Sequence, residues 1–279
     1  MNEIRFDALL PAEMATRAEY LGVQKAETSV LKTFALSVLA GGFIALGSVF
    51  ATTTAAGSGS MPFGAAKLMT GFVFCLGLVL VVVAGAELFT GNNLIVMAWA
   101  SKKVSSKALL RNWVIVYAGN FFGSFGMALL VFLSEQYTFG GGVVGQTALK
   151  IAAGKTEFGF VQAVSLGTLC NTLVCLAVWL TFSARSTVDK IVAVIFPVTA
   201  FVAAGFEHSI ANMYFIPYGL LIKQFDPSFV VESGVDVSRL TWETFLVNNL
   251  IPVTIGNIIG GAALVSATYW AIFLRNRKG

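Results

Sequence analysis

Charge is what this 279-residue chain has least of: 11% of its residues are Asp, Glu, Lys or Arg, against 57% hydrophobic ones. A water-soluble globule of that make-up would expose far too much apolar surface, and the mean hydropathy of +0.81 agrees. Histidine occurs once, at His208, and cysteine three times, at Cys75, Cys170 and Cys175. No Cys-x-x-Cys or Cys/His ligand spacing occurs, so neither a metal nor a cofactor is expected, and the cysteines read as small packing residues. The chain also lacks Gly-x-Ser-x-Gly, His-Glu-x-x-His and nucleotide-binding glycine loops, and Ser209 merely follows His208, which removes the usual grounds for an enzyme. The net charge of +4 comes without a basic run, so nothing points to nucleic acid as a partner. The loops are too short for a receptor's soluble domain.

What the chain does have is long apolar stretches. Runs able to cross roughly 30 Å of hydrocarbon as helices of about 20 residues fall at 30–50, 68–100, 113–133, 158–182, 191–222 and 246–274. They lack the alternating polarity of barrel strands. The expectation is an all-α protein with six transmembrane helices. With both termini on one side, that side collects 13 of the 18 Lys and Arg residues, which puts the termini in the cytoplasm of a multi-pass inner-membrane protein. Residues 1–28 have no signal-peptide core and read as an amphipathic cytoplasmic segment, with Ile4, Leu9, Leu10, Met14, Ala18, Leu21 and Val23 at loosely helical spacing. The six-helix channel domain then covers 29–274, and 275–279 form a cytoplasmic tail.

Two apolar spans carry matching polar interruptions. Residues 84–92 read AGAELFTGN and 204–212 read AGFEHSIAN, each Ala-Gly-x-Glu with Asn five positions after the Glu. Glycine-interrupted spans at corresponding places of two halves point to a midplane transport site. A second match joins Asn112, Gly119, Asn120 and Gly123 to Asn249, Gly256, Asn257 and Gly260 at identical offsets. The half-repeats therefore run over about 29–134 and 157–274, three spans each. Three is odd, so the halves are inverted relative to each other, with broken second and fifth helices.

Irregular backbone at membrane depth survives only where it is buried in protein or lines a wet cavity. Glu87 and Glu207 are expected to structure the two loops by accepting free amides, with Asn92 and Asn212 capping the short helices that follow. His208 faces no such demand, because its counterpart is Leu88. Histidine titrates near neutral pH, which suits a pore-lining role with Thr90 of the opposing break as its hydroxyl partner. Half-helix N-termini add partial positive charge that favours a small anion.

Residues 82–91 (VVAGAELFTG) and 167–177 (GTLCNTLVCLA) resemble the two signature motifs of the formate/nitrite transporter family, and the similarity extends over essentially the whole chain. The resemblance implies an aquaporin-like protomer, a homopentamer in membrane lipid, and one pore per protomer for formate and other small monovalent weak-acid anions. It makes His208 and Thr90 the central polar pair with Asn171 as a further donor. It places Phe74, Leu78 and Phe201 in one constriction, Leu88 and Phe89 on the loop side of another, and Lys155 at the outer mouth as an electropositive attractor. Nitrite or hydrosulfide remains an alternative substrate. Two routes across the apolar gap stay open: His208 gives the anion a proton, or the falling dielectric draws one from water while His208 and Thr90 orient it.

Overall fold

The computed structural model describes residues 8–276, and among these it is all helical, with no strand. The helices are α1 (Pro11–Glu27), α2 (Val30–Ala55), α3 (Phe63–Ala84), α4 (Val96–Ala100), α5 (Ser106–Leu133), α6 (Val143–Lys155), α7 (Phe160–Ser183), α8 (Thr187–Ala203), α9 (Ser209–Phe225), α10 (Pro227–Ser233) and α11 (Trp242–Phe273). Five of them, α2, α3, α5, α7 and α11, are long and apolar enough to cross a membrane. The fifth apolar stretch of the sequence is divided between α8 and α9, each 17 residues long.

Both sequence interruptions are real breaks, and glycine makes them. Gly85 (φ +82°) ends α3 and Gly205 (φ +73°) follows the end of α8, both in the left-handed region that only glycine enters without strain. The amides of Ala86 and Phe206 close each end by reaching back to the Val81 and Phe201 carbonyls at 2.9 and 3.0 Å. After the first break a short 3-10 turn (Gly91–Ile95) leads into α4; after the second, α9 begins at once.

Small residues let the long helices touch backbone to backbone. A Cβ on Gly123 would lie 2.0 Å from the Val38 carbonyl oxygen of α2, and one on Gly260 would lie 2.2 Å from that of Thr168 in α7. The two Gly-x-x-x-Gly pairs thus seat α5 on α2 and α11 on α7, the packing that lipid, offering no hydrophobic drive, leaves to close contact. Two π-helical stretches, Phe245–Leu250 and Ile259–Ala267, widen and underwind α11 along that seam. In α1, Met14, Ala15 and Ala18 are buried, while Leu10 at its N-cap is exposed; a Cβ on Gly22 would lie 3.0 Å from that of Ala98 in α4. Ile4 lies outside the described residues.

Candidate functional site

Each break is held by a closely similar set of bonds. In the first, Lys25 Nζ of α1 donates to Glu87 Oε1 (2.8 Å) and Asn92 Oδ1 (2.9 Å), and Asn92 Nδ2 donates to Glu87 Oε2 (2.6 Å) and Asn112 Oδ1 (3.0 Å). Asn112 returns a bond to the Lys25 carbonyl at 3.2 Å. In the second, Lys155 Nζ of α6 donates to Glu207 Oε1 (2.6 Å), Asn212 Nδ2 to Glu207 Oε2 (2.7 Å) and Asn249 Oδ1 (2.7 Å), and Asn249 Nδ2 to the Lys155 carbonyl (2.8 Å). Buried carboxylates survive only with such partners.

A second pair of asparagines holds the loop backbone. Asn120 Nδ2 donates to the Ser37 and Glu87 carbonyls and its Oδ1 accepts the Phe89 amide; Asn257 does the same with the Gly167 and Glu207 carbonyls and the Ser209 amide. The Glu87 and Glu207 amides go to the carbonyls of Leu36 and Leu166. These bonds correct the expected division of labour. The carboxylates take lysine and asparagine side chains rather than loop amides, because neighbouring carbonyls and amides already satisfy the backbone. Nor does Asn212 cap α9: His208 is the N-cap, its Nδ1 accepting the Ala211 amide at 3.1 Å, while Asn212 and Asn92 point at their glutamates.

Sequence reasoning gave no role to Lys25, Asn112, Asn120, Asn249 or Asn257. The asparagines stood in the matched Asn-Gly-Asn-Gly pattern. Lys25 carried a signal too, since it stands five residues before the start of α2 as Lys155 stands five before α7.

The breaks meet at His208 and Thr90. His208 Nε2 and Thr90 Oγ1 lie 2.9 Å apart, both side chains buried. Because Nδ1 accepts the Ala211 amide, the neutral ring carries its hydrogen on Nε2 and donates it to Thr90 Oγ1. The threonine hydroxyl hydrogen is then directed onward. Phe201 stacks on the imidazole with centroids 6.0 Å apart and meets Phe74 edge to face at 5.8 Å.

Two cavities approach this centre from opposite ends of α3 and share no lining residue. One, of about 350 Å³, is lined by Arg17, Lys25, Glu87, Asn92, Leu78, Leu88 and Lys190 among others. The other, of about 750 Å³, is lined by Lys67, Lys150, Lys155, Glu207, Phe74, Phe201 and His208 among others. Phe74 and Leu78 are one turn apart on α3, so Phe74 and Phe201 face one cavity and Leu78 and Leu88 the other across a single apolar layer.

Three expected site residues sit otherwise than the resemblance implied. Phe89 lines neither cavity; its ring packs against Trp113 and Tyr117 of α5, at 5.9 and 4.9 Å. Asn171 is fully buried, and its amide donates to the carbonyls of Thr90 (3.3 Å) and Asn257 (2.6 Å), leaving no hydrogen for a substrate. Lys155 does line the larger cavity, but Glu207 neutralises it.

Two water-accessible cavities, an apolar layer between them and a buried polar pair at that layer define a membrane pore for a small solute, and no catalytic constellation accompanies them among the described residues. The comparisons narrow this class. A family model described as formate/nitrite transporter matches residues 12–271, and the chain belongs to that family. It is 50% identical over 274 residues to the formate channel FocA of Escherichia coli K12, covering 97% of this chain and 96% of that one. It is 40% identical to the FocA of Haemophilus influenzae, covering 92% of each. Among solved structures it is similar to a pentameric formate channel with formate bound (TM-score 0.83, 46% identity, 88% of this chain and 98% of that one). An FNT family ion channel matches with a TM-score of 0.78 at 26% identity, covering 93% of this chain and 98% of that one.

Proposed function

We propose that this chain is a bidirectional, pH-dependent formate channel of the bacterial inner membrane, acting as a homopentamer with one pore per protomer and both termini cytoplasmic. The carrying observation is the 2.9 Å contact between His208 and Thr90 in the layer between the two cavities. Formate rather than nitrite or hydrosulfide is the favoured substrate, because the relatives above are named formate channels. The fold reading is six spans, with α8 and α9 as the broken fifth, arranged as two inverted repeats in an aquaporin-like protomer. The matching bond sets around Glu87 and Glu207 support that symmetry, and they extend it: α1 and α6 take equivalent places, so each repeat opens one helix earlier than 29 and 157.

Formate enters either cavity as an anion, drawn by lysines in excess of carboxylates. A bare charge in the Phe74/Leu78 layer costs several kcal/mol. The Nε2–H of His208 polarises the Thr90 hydroxyl, which donates to a formate oxygen, and the N-terminus of α9 adds positive potential. A proton on the ring would have to enter at Nδ1 and displace the Ala211 amide. The proton that neutralises formate therefore comes from cavity water as the falling dielectric raises the acid's affinity for it. His208→Phe removes the donor at similar size. Acid-driven formate uptake into proteoliposomes should then fall by about tenfold or more, the worth of a buried donor, with the pentamer intact; undiminished uptake overturns the proposal.

A further inference from the structure

A third cavity, of about 780 Å³, lies away from the pore, where α1, the turn after α4 and the end of α11 meet. Its wall carries Lys102, Lys103 and Arg275 together with Glu19. Glu19 is buried and engaged by Lys103 Nζ at 2.5 Å. Neither the Lys102 ammonium nor the Arg275 guanidinium has a carboxylate partner among the described residues. The cavity therefore presents two uncompensated cations.

The backbone delivers one of them deliberately. The Lys102 amide bonds the Trp99 carbonyl and the Lys103 amide the Ala98 carbonyl, both at 2.9 Å, which closes α4 with Lys102 at φ +60°. That is the position glycine normally fills at a helix end. A lysine there gives up conformational ease to place its side chain at this wall.

The aromatic residues fix the depth. Trp270 Nε1 donates to Ser101 Oγ at 3.1 Å and Trp99 Nε1 to Ser106 Oγ at 3.0 Å, so two indoles turn their polar edges to one turn, with Tyr20 exposed beside it. Rings with one apolar and one wet end collect at the headgroup level of a bilayer. Cations at that level, in a pocket beside the end of a span, suit phosphate-bearing lipid.

We propose that this cavity binds the headgroup of an anionic phospholipid, with Lys102 and Arg275 on the phosphate and Trp270, Val23 and Leu274 against the glycerol and first acyl carbons. The test titrates the full chain, as the solubilised assembly, with phosphatidylglycerol and with phosphatidylcholine, counting bound lipid by native mass spectrometry. Phosphatidylglycerol should bind the tighter. Lys102→Gly/Arg275→Gln should weaken it by about thirty-fold, the combined effect of two basic side chains at a membrane surface, while formate flux stays unchanged. The glycine relieves the turn, so lost folding is not the expected cause; Lys102→Arg/Arg275→Lys should retain the lipid. Equal binding of the two lipids, or no effect of the double variant, overturns the proposal. So does displacement of the lipid by millimolar inorganic phosphate, which would make this a site for the soluble anion. A Lys102→Cys variant that cross-links to a second copy also overturns it, since a subunit would then cover the cavity.

Discussion

Replacing Lys155 by methionine should damage the protein far more than the same change at Lys25, although both lysines pair with the glutamate of a break and Lys25 also bonds Asn92. Glu207 is 3% exposed and Lys155 16%, against 13% for Glu87 and 33% for Lys25. Losing Lys155 leaves Glu207 Oε1 charged and unpartnered on a side chain only 3% exposed, since Asn212 and Asn249 reach only Oε2. Breaking a buried pair from one side costs about 3–5 kcal/mol. At the wetter first break, water takes up part of the loss, and about 1–2 kcal/mol is expected. With roughly 2–4 °C per kcal/mol for a chain of this size, Lys155→Met should melt about 10 °C below the parent and Lys25→Met only a few degrees below it. Lys155→Met/Glu207→Gln should recover most of the loss, because the stranded charge is gone. A tryptophan-fluorescence melt of the solubilised protein reads all three. Equal losses at the two lysines, or a double variant less stable than Lys155→Met, would refute the argument that burial sets the difference.

Thr90→Val keeps the volume and removes the hydroxyl, leaving His208 Nε2–H unpartnered; formate flux should drop by about tenfold with little change in assembly, measured by proteoliposome uptake. Gly260→Val drives a side chain into the Thr168 carbonyl, 2.2 Å from the new Cβ. It should part α7 from α11 at a cost of about 1–3 kcal/mol or more, seen as a lower yield of assembled protein on size exclusion.

The two breaks were legible in the sequence because glycine, glutamate and asparagine stand out in apolar helix, and their repetition is what suggests the proposed symmetry. The His208–Thr90 pair followed from comparing the copies. Other features were hidden for physical reasons. Lys25 lies in a polar helix and Lys155 in a more apolar one, so α1 and α6 do not look alike. The side-chain direction of Phe89 depends on the path of an irregular turn, which spacing does not encode. His208 is an uncommon N-cap, and the asparagine four residues later looked the better candidate. Asn171 lies beside Thr90, but whether an amide faces substrate or backbone depends on what stands opposite it, here the Asn257 carbonyl.

Transport by alternating access needs two halves that rock about a fixed site. Here each half reaches across to fasten the other just past its break. Asn171 and Cys175, from the second half, hold the Thr90 carbonyl, and Ser124, from the first, holds that of Ile210 at 3.3 Å. Rocking would rupture these bonds together with the Thr90–His208 contact, at about 0.5–1.5 kcal/mol apiece. Under the proposed function this points to a fixed sieve, in which solute would pass by small displacements of Phe74, Leu78, Leu88 and Phe201 and the direction of flow would be left to the gradients of formate and protons on either side.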